Sequence, residues 1–153
     1  MKYQIPGQVE LELKTIILDL NGTLTVGGEI VDGAKERLTK LKSLGYQLIF
    51  FTGNTRGNAD GIARELGIEW LLAESGEDKK KEAQKLNPDT CVSIGNGLID
   101  LELMKVVRLG IVTLQAEGVH VQTLLESDLV VPNINDALDL FIDEQKLIAS
   151  LRI

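Results

Sequence analysis

The stretch "ILDLNGTLT", residues 17–25, places one carboxylate at the end of a strongly apolar segment. Residues 15–20 are apolar and β-branched, which is typical of a strand buried on both faces of a parallel sheet. A buried strand that ends in Asp19 needs an explanation, because an unpaired buried charge is costly. In open parallel sheets, ligands bind beyond the carboxyl ends of the strands. We therefore expect Asp19 to face a ligand at that edge.

The rest of the chain alternates between strand and helix patterns. Strands are predicted over 15–20, 46–51, 68–73, 90–94, 111–114 and 128–131, and helices over 33–44, 57–66, 77–86, 99–109, 118–126 and 135–150. Gly45, Gly67 and Gly110 are predicted to end helices. This alternation predicts an α/β fold of three layers, with a doubly wound, mostly parallel sheet between helices. Residues 1–153 form one domain in this interpretation, and residues 9–13, "VELEL", could add an edge strand.

Composition excludes several classes of function. The 153 residues are 44% hydrophobic, which is enough for one full core, and the net charge of -7 argues against nucleic acids and anionic membranes as partners. Cys91 is the single cysteine, so no intrachain disulfide can form, and this fits a reducing compartment. No segment resembles a membrane span or a signal peptide. We therefore expect a cytoplasmic location.

Polar residues with related chemistry stand at the predicted strand ends. Asp19 ends the first strand, Thr52 the second, and Asp100 lies just beyond the fourth, while Lys79 begins the helix before the fourth. Parallel strands bring their carboxyl ends to one edge, so these groups are predicted to meet there. A carboxylate, a hydroxyl, a lysine and a second carboxylate suit phosphoryl transfer, with Mg²⁺ bridging carboxylate and phosphate.

Four segments resemble, in order, the four motifs of the haloacid dehalogenase superfamily: "DLNGTLT", "FFTGN", "EDK" and "GNGLIDLELM". The region from "VDGAKERLTKLKSLGYQLIFFTGNT" through "GNGLID" looks most like the phosphorylation domain of P-type ATPases, and the chain is similar to the soluble P-type-ATPase-like members. Nearly the whole chain is covered. The resemblance implies a Rossmann-like fold and Mg²⁺-dependent phosphoryl chemistry.

The resemblance also implies roles for individual residues. Asp19 would be the nucleophile that forms an aspartyl-phosphate, and Thr52 would bind the phosphoryl group together with Gly22 and Gly53. Lys79 would neutralise developing charge, since it follows Glu77-Asp78 as the family's lysine follows an acidic pair. Lys80 and Lys81 are competing choices for that role.

The metal site implied by the resemblance departs from the family pattern. Its ligands would be Asp19, the backbone carbonyl of Asn21, Asn96 and Asp100. The family commonly has an acidic metal ligand at the position of Asn96. The fourth motif of the family also has an asparagine at the position where this chain has Ile99. One formal charge is lost, so we expect Mg²⁺ to bind weakly.

A second departure concerns the leaving group. Phosphatases of the family carry an aspartate as general acid two residues after the nucleophile, whereas this chain has Asn21, which has no proton to donate. P-type ATPases also do without that acid. Substrates would then be acyl phosphates, phosphoanhydrides or aryl phosphates, whose leaving groups depart without protonation.

The chain leaves no room for the cap domain of many family members. Residues 25–31, "TVGGEIV", form only a short flap, and residues 53–79 are used by one helix and one strand. An uncapped member of the family takes a macromolecular substrate or closes its site by oligomerising. The expected partners are a phosphorylated small molecule, a nucleotide or a protein, and a homo-oligomer is a further expectation.

Three classes of function remain open from the sequence. The first is a phosphohydrolase or phosphotransferase, and the second is a degenerate module that binds phosphate, nucleotide or a protein without turnover. The third is a receiver-like signalling domain, which the single Asp19 on the first strand disfavours. Structural explanations also exist: Asp100 could begin a helix as a first-turn acid, and Lys79 could belong to a solvated lysine face.

Overall fold

A computed structural model describes residues 1–153, and its centre is a six-stranded sheet in which every pair of neighbours is parallel. Ten strands occur in all: β1 Lys2–Tyr3, β2 Leu11–Glu12, β3 Thr15–Asp19, β4 Thr25–Val26, β5 Glu29–Ile30, β6 Gln47–Thr52, β7 Glu69–Leu72, β8 Cys91–Gly95, β9 Leu109–Thr113 and β10 Leu129–Val131.

The six central strands lie in the order β10-β9-β8-β3-β6-β7. This is the doubly wound order in which the chain leaves the first strand toward one edge and later returns to build the other half. The reversal falls between β3 and β8, and such a switch point opens a crevice at the carboxyl ends of the two strands. The predicted α/β class is therefore confirmed, and the crevice lies beside Asp19.

Helices cover both faces of this sheet. They are α1 Ala34–Ser43, α2 Ala59–Leu66, α3 Gly76–Gln84, α4 Leu101–Met104, α5 Val121–Glu126, α6 Ile134–Ile142 and α7 Glu144–Leu151, with 3-10 turns at Pro88–Thr90 and Leu98–Asp100. A core of 27 buried residues lies under α1, α2 and α6, and a smaller one of seven lies under α3 and α4. This arrangement confirms the predicted three layers.

Strand β3 shows why its sequence is apolar at every position. Ile16 and Leu18 belong to the larger core, whereas Ile17 belongs to the smaller one. Alternate side chains of a strand point to opposite faces, so both faces of β3 are buried. Asp19 is the first residue that emerges at the end of this strand, where it is partly accessible.

The predicted edge strand at 9–13 is wrong. β2 pairs antiparallel with β1 in a separate two-stranded sheet and does not extend the central one. The chain reverses near Gly7, whose φ of 82° favours glycine. The period-2 pattern has a different cause, since Leu11 and Leu13 point into the larger core while Glu10 and Glu12 point away from it.

Two predicted helices depart most from the observed bounds. The helix at 99–109 begins as a 3-10 turn and its α-helical part ends at Met104, while Gly110 lies inside β9. A side chain at Gly110 would approach the sulfur of Met104 to 2.8 Å, so this glycine serves packing and ends no helix. The helix predicted over 135–150 is two helices, because Asp143 interrupts it and caps α7 through the backbone N–H of Gln145.

Only short segments stand between the sheet and solvent above its carboxyl edge. The segment between β3 and α1 contains the hairpin of β4 and β5, with a turn at Gly27-Gly28, and that between β6 and α3 contains one helix and one strand. No helix has the length and apolar character needed to cross a membrane.

Candidate active site

Most of the residues predicted to meet at the carboxyl edge line one cavity of about 230 Å³. Its walls include Asp19, Asn21, Thr52, Gly53, Lys79 and Asn96. Asp100 does not line it but bonds to Lys79, and Gly22 lines an adjoining cavity. A larger surface depression of about 620 Å³ lies beside α3, but exposed residues such as Leu72, Lys81 and Lys85 line it. The smaller cavity holds the buried ionisable groups, so it is the candidate active site.

Helix α3 places Lys79 by the way in which it begins. Ser75 caps the helix and accepts a hydrogen bond from the N–H of Asp78, while the Asp78 carboxylate accepts one from the N–H of Ser75. This capping box fixes the first turn, so the next residue points inward. Lys79 is only 1% exposed, whereas Lys80 is half-buried and Lys81 exposed. The structure therefore brings Lys79 into the cavity, and not its two neighbours.

Lys79 links two carboxylates that lie on different segments. Its Nζ donates to Oδ1 of Asp19 at 2.8 Å and to Oδ1 of Asp100 at 2.8 Å. The side chains of Lys79 and Asp100 are each 1% exposed and that of Asp19 is 13% exposed. One positive charge thus faces two negative charges in a site that is largely shielded from solvent.

The burial and the charges of this ion triad shift the pKa values of Asp19 and Lys79. Burial, followed by the negative charge of Asp100, raises the pKa of Asp19 to about 6, while Lys79 opposes that rise. Burial by itself lowers the pKa of Lys79, but the charges of Asp100 and Asp19 outweigh burial and raise it. At neutral pH Lys79 is therefore protonated, and Asp19 is mostly ionised but can be neutralised by mild acid.

Asp100 is engaged on both of its carboxylate oxygens. Oδ1 accepts from Lys79, and Oδ2 accepts from the backbone N–H groups of Asn96 and Gly97, at 3.0 and 3.1 Å. A side chain at Gly95 would lie 2.3 Å from Oδ2, so only glycine fits at that point. Asp100 therefore holds Lys79 and the loop after β8 in place. Its metal-binding role stays a prediction.

Thr52 presents a hydroxyl proton to the cavity. The residue is 3% exposed, and its Oγ1 accepts a hydrogen bond from the N–H of Asn54 at 3.1 Å. A hydroxyl that accepts from a protein donor still has its own proton to donate. Gly53 follows directly at the cavity wall. Both residues thus line the cavity, and the Thr52 hydroxyl has a proton to donate to an anionic group.

The two asparagines line the cavity from the loops after β3 and β8, whereas Lys79 lines it from α3. The Oδ1 atom of Asn21 is buried and has no hydrogen-bond partner. Asn96 is 3% exposed, and its Nδ2 donates to the carbonyl of Gly118 at 3.1 Å and toward Oε2 of Glu117 at 3.4 Å. An unpartnered buried acceptor is unusual in a folded protein and often marks a functional position.

Glu117 was missed by the sequence reasoning. It lies in the loop after β9 and lines the cavity together with Asp19 and Asn21. A side chain at Gly22 would approach Oε2 of Glu117 to 2.4 Å, so the carboxylate rests directly on this glycine, whose φ of 80° also favours glycine. The strand-end rule that selected Asp19 and Thr52 could have found Glu117 if it had also been applied to the fifth strand.

The donor atoms fit a hard cation such as Mg²⁺. No group of three or more His, Cys, Asp and Glu side chains clusters in a way that could hold a metal ion. A metal would therefore be held by a mixture of carboxylate, amide and backbone oxygens, which Mg²⁺ accepts together with water. Asp19 supplies a carboxylate, and the unpartnered Oδ1 of Asn21 shows that this side of the cavity has spare acceptor capacity.

Comparisons with known proteins bear on the family and the fold of this chain. A sequence model of haloacid dehalogenase-like hydrolases matches residues 26–108. An uncharacterized protein of Methanocaldococcus jannaschii is 45% identical over 73 residues, which are 47% of this chain and 78% of that protein. The copper-exporting P-type ATPase of Bacillus subtilis is 30% identical over 111 residues, which are 67% of this chain but only 14% of the ATPase.

Among solved structures, the chain is similar to the 3-deoxy-D-manno-octulosonate 8-phosphate phosphatase of Moraxella catarrhalis. The TM-score is 0.72 at 22% identity, and the match covers 90% of each chain. That structure is a complex with magnesium ion, phosphate ion and the sugar acid. At this level of identity the similarity shows a shared fold.

Proposed function

Because the chain belongs to the family of haloacid dehalogenase-like hydrolases, we propose that it is a phosphohydrolase or phosphotransferase that acts through an aspartyl-phosphate on Asp19. One observation carries this proposal. Asp19 stands at the switch point of the sheet, and a buried Lys79 binds its Oδ1, which leaves Oδ2 for attack on phosphorus. Activated nucleophiles are characteristically held in this way by a neighbouring group.

The proposed first step transfers a phosphoryl group to Asp19. Oδ2 of Asp19 attacks phosphorus, the bond between phosphorus and the leaving oxygen breaks, and its electron pair stays with the leaving group. The hydroxyl of Thr52 and the N–H group of Gly53 hold the phosphoryl oxygens, while Lys79 offsets their charge. The N–H of Gly22, which the resemblance also implied, already donates to the carbonyl of Thr25 at 2.8 Å. Water, or another acceptor, then takes the phosphoryl group from Asp19.

A magnesium ion fits this site on the side of the asparagines. Asp19, the backbone carbonyl of Asn21 and the amide of Asn96 are the groups that would hold it, with Asp100 beside them. When bound, Mg²⁺ supplies positive charge that offsets the charge of the transferring phosphoryl group. With these groups alone, Mg²⁺ would bind weakly, because an amide stands where related proteins commonly have a carboxylate.

The amide of Asn21 restricts the substrate. It cannot protonate a leaving oxygen, so we propose good leaving groups, as in acyl phosphates, phosphoanhydrides and aryl phosphates. A second cavity of about 210 Å³ adjoins the first at Asn21 and Glu117 and extends under Gly28 to Arg56. This cavity has room for a leaving group, and Arg56 supplies a positive charge for an anionic one.

The open carboxyl edge of the sheet admits several classes of substrate. The flap of β4 and β5 is short and leaves the site open to solvent. We therefore propose that a phosphorylated small molecule, a nucleotide or a phosphoprotein can reach Asp19. Closure by a second copy of the chain is the other proposal for an uncapped site.

A second candidate function is a phosphate-binding or nucleotide-binding module with little turnover. The observation that favours it is the pair of amides, Asn21 and Asn96, at positions where the resemblance implies acids. This candidate predicts binding of phosphate analogues at Asp19 and Thr52 without a covalent intermediate.

Phosphorylation of Asp19 distinguishes the two candidates. The protein is incubated with acetyl phosphate or p-nitrophenyl phosphate and Mg²⁺, and intact-mass spectrometry detects the added phosphoryl group while a phosphate assay follows turnover. We expect slow hydrolysis in the natural protein and none in Asp19→Ala, whose circular dichroism should remain native. Asp89→Ala, which changes an exposed aspartate near the opposite end of β8, is the matched control. Full activity in Asp19→Ala would disprove the nucleophile.

A further inference from the structure

We infer that Glu117 is the carboxylate of the metal-binding side of the cavity, supplied by the loop after β9 in place of the acid that Asn96 lacks. The inference rests on the proposed function, because the metal would serve the reaction at Asp19. It changes the set of Mg²⁺ ligands expected from the sequence. That set contained Asp19 and the carbonyl of Asn21 from the segment around the first strand, and only Asn96 and Asp100 from the rest of the chain.

The position of Glu117 carries the first step of the argument. Its Oε2 lies 3.4 Å from Nδ2 of Asn96, and its carboxylate rests on Gly22, next to the backbone of Asn21. The carboxylate therefore lies between the two segments that would hold the metal. Asp100 cannot easily fill this role, because protein donors already engage both of its oxygens.

The loop that bears Glu117 is held at both of its ends. On one side, Nε2 of Gln115 donates to the carbonyls of Gly22 and Thr23, at 2.9 and 2.8 Å. On the other side, the carbonyl of Gly118 accepts from Nδ2 of Asn96 at 3.1 Å, and the N–H of His120 donates to the carbonyl of Asn96 at 2.9 Å. An exposed glutamate on a free loop would sample many positions, but these bonds fix Glu117 over the cavity.

Charge explains why an amide and a glutamate occur together. Position 96 is buried, so an aspartate there would face Glu117 as a like charge, which is unfavourable in the absence of metal. Asn96 instead donates toward Glu117 and orients it. The site therefore keeps one negative charge on this side, moved from the loop after β8 to the loop after β9. Carboxylate and carbonyl oxygens are the ligands that Mg²⁺ prefers.

Titration of Mg²⁺ into the full chain by isothermal calorimetry, without substrate, tests this inference. Glu117→Gln should weaken Mg²⁺ binding by about tenfold, in line with the 10–100-fold effects of losing groups around a metal. Asn96→Asp alone should strengthen binding, because it adds a carboxylate. The double variant Glu117→Gln/Asn96→Asp should return close to the natural affinity, because it removes one carboxylate from the loop after β9 and adds one to the loop after β8.

Glu65→Gln is the matched control, because Glu65 is an exposed glutamate on α2 outside both cavities. It should leave Mg²⁺ affinity unchanged. The inference is wrong if Glu117→Gln binds Mg²⁺ as the natural protein does, if Glu65→Gln loses as much affinity, or if the natural protein binds no Mg²⁺. Because no phosphoryl donor is present, a failure of Asp19 phosphorylation leaves this result intact, and the two failures can be told apart.

Discussion

The cavity at the end of β3 has two sides that hold charge in opposite ways. On the first side, Lys79 joins Asp19 and Asp100 in a buried ion triad at 2.8 Å from each. On the second side, Asn21 and Asn96 are neutral, and the exposed Glu117 is the charged group that accepts from Asn96. The first side holds the carboxylate and the lysine that the proposed phosphoryl transfer to Asp19 would use. The second side, where a leaving group and a metal would be handled, is where this chain departs from the resemblance.

This difference implies that attack by Asp19 and the handling of the leaving group and the metal can be altered separately. The triad is tied to the core through α3 and the loop after β8, so a change there affects folding as well as chemistry. The asparagines and Glu117 contact mainly loops, so a change there should affect leaving group and metal with little effect on stability.

The largest expected effect is the loss of Lys79. Lys79→Met leaves Asp19 and Asp100 as uncompensated buried carboxylates, and breaking a buried pair typically costs about 3–5 kcal/mol. Urea denaturation should show a fall of that size in the free energy of unfolding at pH 7. Lys81→Met, an exposed neighbour on the same helix, should change it little. An equal, small effect in both variants would mean that the triad is not buried in solution.

The second effect concerns the neutral side. Asn21→Asp introduces a group that can protonate a leaving oxygen, and general acid catalysis is typically worth about 10²–10⁴-fold. Hydrolysis of an alkyl phosphomonoester should therefore rise strongly, whereas that of acetyl phosphate, whose carboxylate leaves well, should hardly change. Steady-state rates for the two substrates measure this contrast.

The control for this prediction is built into the choice of substrates. A uniform change across both would indicate altered folding or metal binding. No change in either, with Asp19 still reactive, would mean that Asn21 only shapes the turn. The phosphorylated Asp19 should also live longer in the natural protein, because an aspartate at position 21 would activate water.

The smallest effect is the stability cost of the ionised nucleophile. The pKa of Asp19 rises from 3.8 to about 6, chiefly through burial, so the ionised form destabilises the folded state. Its proton is bound more tightly in the folded than in the unfolded protein. The resulting stability is present in full below pH 3.8 and is lost as the pH rises through about 6.

Asp19→Asn should therefore be more stable than the natural protein at pH 8, by about 1–3 kcal/mol at 1.36 kcal/mol per pKa unit. The advantage should shrink as the pH falls from 6 to 4, and denaturation curves across this range measure it. Asp89→Asn, an exposed aspartate, should show no such trend. If the natural protein is more stable than Asp19→Asn at pH 8, then burial does not destabilise the ionised form of Asp19.

Much of the fold could be predicted because it depends on short-range patterns. The apolar run ending in Asp19 predicted a central strand, and the alternation of periods predicted the parallel sheet, because every strand buried on both faces must be apolar throughout. The errors lie where tertiary contacts override the pattern. Gly110 looked like a helix end and is a packing position, and residues 9–13 looked like an edge strand and pair with the N-terminus instead.

The sequence by itself determined the class of fold, the strand ends at which Asp19 and Thr52 stand, and the two amides at Asn21 and Asn96. Only the tertiary structure decided which lysine enters the cavity, because the capping box of α3 sets the direction of Lys79 and a run of three lysines carries no such information. It also decided the partners of Asp100 and the place of Glu117. These depend on distances between segments that are far apart in the chain, and such distances arise only when the sheet is assembled.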